Sequence, residues 1–123
     1  MNMPHKTGQD LIDDAKAQIE ELTPEQVREM QARNENAVYL DVREPNEWNL
    51  GRLPNAVHLP RGNLETKIEA LVGDRSQRVV IYCARGNRSA LAALTMKQMG
   101  YDNIASMARG FSGWAEIGGQ IEE

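Results

Sequence analysis

There is a single cysteine in these 123 residues, and only two histidines. One cysteine cannot close an internal disulfide, and its isolation fits a reducing compartment. With so few cysteine and histidine side chains, no metal site can be assembled from the usual ligands, and no metal or other cofactor is expected. No excess of positive charge is present: the net charge is −4, which argues against nucleic acid as a partner. No apolar run approaches the length that crosses a membrane. The opening residues, Met1 to Thr7, lack the apolar core of a signal peptide. A cytoplasmic location without membrane association is therefore expected. Internal repeats, low-complexity tracts and a nucleotide-binding glycine loop are absent as well.

What is there reads as an ordinary folded chain. Hydrophobic residues make up 41% and charged residues 26%. The length suits one domain with a real core. After a frayed opening of seven residues, Leu11, Ile12, Ala15, Ile19 and Leu22 recur at helical spacing among acidic residues. Two uses are open to this amphipathic helix: packing on the domain, or packing on a second copy to form a homodimer. Thr23-Pro24-Glu25-Gln26 then reads as a helix start, with a capping threonine, proline in first position and glutamine three after the cap. That helix ends near Arg33-Asn34, and a buried strand follows at Ala37 to Leu40.

The chemistry concentrates between Val79 and Ser89. Val79-Val80-Ile81-Tyr82 is a strand that leads straight into Cys83. Ala84-Arg85-Gly86-Asn87-Arg88-Ser89 is a polar loop, and Ala90 to Met99 reads as a helix stopped by Gly100. The thiol thus sits at a strand-to-helix turn beneath a helix N-terminus. Unpaired N–H groups there favour negative charge on sulfur, and the thiolate is the nucleophile. Gly86 permits a tight turn, Arg85 and Arg88 add positive charge and planar donors, and Ser89 is placed to cap the helix. Together these residues predict an anion pocket around a reactive cysteine.

Asp41 and Arg43 end the strand before it, on the side of an α/β sheet where ligands gather. They are candidates to support the cysteine loop, with Arg43 paired to Asp41 or Glu47 to hold the turn. Trp48 and His58 read as packing residues. Asn55 stands in a loop that needs a left-handed backbone, which asparagine tolerates. Further along, Leu64 to Val72 marks a helix closed at Gly73, Ile104 to Met107 a last strand, and Gly110 the start of a last helix with Trp114 and Ile117 inside. Strands alternating with helices predict an α/β fold with a mostly parallel sheet.

Tyr82 to Ser89 resembles the active-site loop of the rhodanese (sulfurtransferase) family. Leu40 to Trp48, running on through Gly51 to Pro60, resembles that family's first signature, and Arg109 to Trp114 with Gly118-Gly119 its last. The likeness runs from about Thr23 to the end. It implies a rhodanese-like domain over residues 23–123, preceded by an extension over 1–22, with a central sheet of about five strands flanked by helices on both faces. It also implies that Cys83 takes a sulfane sulfur from thiosulfate or a persulfide, small or protein-borne. Cyanide or a thiol then accepts that sulfur. Arg88 matches the arginine that closes the family's loop and is expected to orient an anionic donor. Three positions depart from the family: Arg52 where histidine is common, Asn55 where glycine is, and Ala84 where arginine is found. Ala84 leaves the donor open. Two other classes stand beside this one: a phosphatase or arsenate reductase of related fold, and a non-catalytic binding module. The first uses a longer loop between cysteine and arginine, and the second commonly lacks the cysteine.

Overall fold

A computed structural model describes residues 5–123. Of the opening stretch expected to fray, residues 1–4 lie outside these. Thr7, counted in that stretch, instead caps the first helix: its side chain accepts from the Asp10 N–H while the Asp10 carboxylate accepts from the Thr7 N–H.

Six helices and five strands follow in the order α1 (Gly8–Gln18), β1 (Glu20–Leu22), α2 (Pro24–Ala32), β2 (Val38–Asp41), α3 (Pro45–Leu50), β3 (Ala56–His58), α4 (Leu64–Leu71), β4 (Val79–Tyr82), α5 (Asn87–Gln98), β5 (Ile104–Met107) and α6 (Gly110–Glu116), with a 3-10 turn at Arg61–Asn63 before α4. The strands form one sheet in the order β1-β5-β4-β2-β3, and every neighbouring pair is parallel. The α/β architecture with about five strands is therefore as the sequence implied.

Helices cover both faces. On one, Leu40, Val42, Val79 and Ile81 pack with Leu64 and Ile68 of α4 and with Ala92, Ala93 and Met96 of α5. On the other, Tyr39, Val80 and Tyr82 pack with Val27 and Met30 of α2 and with Trp114 of α6. All four residues of β4 are buried, which explains why its sequence is continuously apolar rather than alternating. The strand lies mid-sheet, where the chain on one side turns outward through β2 and β3 and on the other through β5. Ligand sites of open α/β sheets form at such reversals, at the carboxyl ends of the strands. Cys83 is the residue that follows β4 there.

Several elements form as their residues require. The Thr23–Gln26 capping box is present in both directions, and Asn55 takes the left-handed backbone at φ 62. The first helix differs from its reading. Helical spacing carries on to Leu22, but the chain leaves the helix at Ile19, and Glu20–Leu22 becomes an edge strand paired with β5. The open edge of β5 overrides a weak local preference. Helix α1 packs on α5, with Ala15 wholly buried and the Lys97 amine donating to the Gln18 carbonyl at 2.7 Å.

Candidate active site

The helix above Cys83 begins earlier than its sequence suggests. Gly86, at φ 97, is the N-cap of α5, and Asn87 is its first residue. Ser89 therefore lies inside the first turn and does not cap. The reason is geometric: a chain leaving β4 must reverse within three residues, and the left-handed conformation that does so is open to glycine. A Cβ at Gly86 would also meet the Arg109 nitrogen at 3.2 Å.

This early start brings the helix end onto the sulfur. Cys83 Sγ accepts from the Gly86 N–H at 3.2 Å and from the Ser89 N–H at 3.4 Å. The thiol donates to Ser89 Oγ at 3.5 Å, and Ser89 Oγ shares a hydrogen bond of 2.8 Å with Ser106 Oγ on β5. Both serines are wholly buried, and Cys83 is 1% exposed. A hydroxyl both donates and accepts, so the Ser106–Ser89 pair can serve the sulfur in either charge state: accepting from the thiol, or turning to donate to the thiolate.

The carbonyls of the loop are held from below by α6. Phe111 N–H donates to the Cys83 carbonyl at 2.8 Å and Ser112 N–H to the Ala84 carbonyl at 3.0 Å. These are first-turn donors that would otherwise lack partners. With its carbonyls drawn toward α6, the loop presents N–H groups on the sulfur side.

The two loop arginines differ. Arg85 is exposed and makes no ion pair among the described residues. Arg88 is half-buried and forks onto Glu47 of α3, at 2.8 Å and 3.0 Å. That contact holds the Glu47 carboxyl down at about 2, with burial opposing it. Asn87 is exposed.

Asp41 and Arg43 form a buried pair, as expected of Arg43, with Glu47 taken elsewhere. Asp41 accepts from the Arg43 N–H at 2.9 Å and from its guanidinium at 2.8 and 3.1 Å. Arg43 also donates to the Gly51 carbonyl at 2.6 Å, and its guanidinium lies over the Phe111 ring, 4.4 Å from the centroid. Phe111 N–H in turn donates to the Cys83 carbonyl, so the pair reaches the loop at one remove and does not touch the sulfur. His58 Nε2 bonds the Arg43 carbonyl at 2.8 Å, and its ring stacks on Trp48 at 4.8 Å; both are packing residues. Replacing Asp41 by asparagine leaves a buried guanidinium without its counter-charge and is expected to destabilise the fold by about 3–5 kcal/mol, read from the midpoint of urea unfolding. Among the described residues no group of three or more His, Cys, Asp or Glu side chains is gathered to hold a metal ion.

A family model for the rhodanese-like domain matches residues 23–117. The chain belongs to the rhodanese-like family. It is 33% identical, over 83% of its length and 89% of the relative's, to a thiosulfate sulfurtransferase of Actinobacillus succinogenes. It is 31% identical over 78% of its length to a Bacillus subtilis protein described as a candidate sulfur carrier, of which it spans 51%. A solved structure from Rhodopseudomonas palustris, described as a protein of unknown function and possible tyrosine phosphatase, superposes with a TM-score of 0.89 at 32% identity, covering 98% of this chain and 100% of that one.

Two side chains of this rhodanese-like site escape a reading of its sequence. Ser106 sits among apolar neighbours on a strand, a polar residue where burial is certain; that is a weak signal, and it names no partner. Glu47 belongs to the first signature and Arg88 to the loop, yet nothing in their spacing joins them.

Proposed function

We propose that this rhodanese-like domain is a sulfurtransferase that carries sulfane sulfur as a Cys83 persulfide. The observation that carries the reading is the Cys83 sulfur held under α5 by two backbone N–H donors, with Ser89 beside it. The thiolate attacks the outer sulfur of thiosulfate. A new S–S bond forms, the S–S bond of the donor breaks, and its electron pair leaves with sulfite. The terminal sulfur keeps the negative charge, which the N–H groups of Ala84 to Ser89 stabilise as an oxyanion hole does. Cyanide or a thiol then attacks that sulfur, and the thiolate of Cys83 is released. An organic or protein-borne persulfide can take the place of thiosulfate as donor, with a thiolate as leaving group. Arg85 is the exposed cation at the mouth and the candidate to meet an anionic donor.

Phosphoryl hydrolysis is the second reading, favoured by the description of the Rhodopseudomonas palustris relative. Two observations weigh against it. Only Ala84, Arg85, Gly86 and Asn87 separate Cys83 from Arg88, a ring too tight for a tetrahedral phosphoryl group, and Arg88 is already engaged by Glu47. A purely binding module would have no use for a sulfur so equipped.

The test is intact mass spectrometry after incubation with thiosulfate. One added sulfur atom is expected, lost again on adding cyanide with release of thiocyanate. Aryl phosphate hydrolysis that depends on Cys83, without any sulfur uptake, would replace this reading with the second.

A further inference from the structure

Sulfur transfer at Cys83 leaves one charged group bound to the cysteine loop without a role, the carboxylate of Glu47. It is fixed twice over. Its oxygens take both terminal nitrogens of Arg88, and Oε1 also accepts the Glu44 N–H at 3.0 Å in the first turn of α3. The side chains of Arg88 and Glu47 are 36% and 28% exposed, so their pair is reached by solvent, and its arginine belongs to the loop that carries Cys83. A planar guanidinium forked onto a carboxylate has its best-matched edge occupied, and the pair as a whole carries no net charge. Among the neighbouring charges, the exposed Glu44 carboxylate also acts on Arg88, on the same side of the balance as Glu47. Arg43 is matched by Asp41, and Glu44 and Arg85 are exposed on either side.

We propose that Glu47 is a specificity-determining residue of the sulfur-transfer site: by neutralising Arg88 it favours organic persulfides, which carry at most one negative charge on sulfur, over dianionic thiosulfate as donors. The inference rests on the sulfurtransferase reading above. It reverses the expectation that Arg88 serves chiefly to bind an anionic donor. In this chain the arginine is held in reserve by a carboxylate, and donor preference follows the net charge of the pair.

The experiment compares kcat/KM for thiosulfate and for an alkyl persulfide with no charged group other than its terminal sulfur, with cyanide as acceptor, in the native protein and three variants. Glu47→Gln keeps the acceptor oxygen and removes the charge. It should raise the thiosulfate-to-persulfide ratio about tenfold, mainly through the KM for thiosulfate. Arg88→Ala leaves the carboxylate unopposed and should lower the ratio about tenfold. The double variant, neutral again, should return near the native ratio. A merely structural role would lower transfer from both donors alike and leave the ratio within about twofold of native, which would overturn the proposal. Should Glu47→Gln fail to fold, Arg88→Ala alone decides: an unchanged ratio refutes it. If the native protein transfers sulfur from neither donor, the sulfurtransferase reading falls and this inference with it.

Discussion

Cys83→Ser is expected to lose sulfur transfer by a factor on the order of a thousand or more, while its melting temperature stays close to native. The two halves of this expectation have separate causes. A serine hydroxyl does not become the anion that attacks a sulfane sulfur near neutral pH, and oxygen forms no stable counterpart of the persulfide. The mass increase seen with thiosulfate should therefore vanish along with turnover. Stability should hold because the sulfur's polar neighbours all suit a hydroxyl: the Gly86 and Ser89 N–H groups donate to it, and Ser89 Oγ accepts from it. A buried hydroxyl with partners on all sides costs little. Retained thiosulfate:cyanide transfer in this variant would sink the assignment of Cys83. Loss of transfer together with collapse of the melting transition would mean that the sulfur is a packing group first.

Gly110→Ala is expected to be the most damaging change of a single methyl group. Gly110 adopts φ 51, and a Cβ there would lie 2.4 Å from the Cys83 carbonyl oxygen and 2.8 Å from both the Ala84 carbonyl carbon and the Arg85 nitrogen. All three are backbone atoms, so no side chain can rotate aside. Relief comes only by moving α6 away from the loop, which stretches the bonds from Phe111 and Ser112 that fix its carbonyls. A loss of about 2–4 kcal/mol is expected, from the left-handed alanine together with the clash. Sulfur transfer should fall about a hundredfold as the N–H groups leave their places around the sulfur. Gly118→Ala is the matched control. Gly118 also has a left-handed backbone, φ 72, but no atom within 4 Å of the added methyl. It should cost about 1 kcal/mol and leave activity intact. Urea unfolding and the cyanide assay on both variants separate the two causes. Equal losses at Gly110 and Gly118 would mean that backbone conformation alone matters and that α6 does not hold the loop.

Much of this site is legible in the chain because its parts are neighbours. Val79 to Ser89 carries strand, cysteine, turn glycine and helix start in one run, and the Thr23 cap lies three residues from its partner Gln26. What escaped was set by distance or by competition. Ser89 looked like the cap because serine is a commoner cap than glycine, but Gly86 reaches the left-handed conformation first and the helix starts there. Glu20–Leu22 looked helical because Ile19 and Leu22 continue the spacing of Leu11 and Ala15; its strand exists only because β5 offers an edge. Arg88 looked free because a loop sequence does not show which residue of another element will fork onto it. Local rules locate the cysteine and its loop, then, while their electrostatic setting is written in pairs that meet only in the folded chain.

The order of the sheet also governs when the cysteine loop is completed during synthesis. Strand β1 is the first made and pairs with β5, the last. It therefore has no neighbour until residue 107 has been added, whereas β2, β3 and β4 can assemble before that. The α6 donors that grip the carbonyls of Cys83 and Ala84 come later still, at Phe111 and Ser112. A nascent chain halted at Ala108 would carry the cysteine and all of α5 but not the clamp beneath the loop. Domains grow from the N-terminal end as the ribosome proceeds, so in this one the strand that leads into the thiol is laid down before the α6 contacts that fix the loop after it.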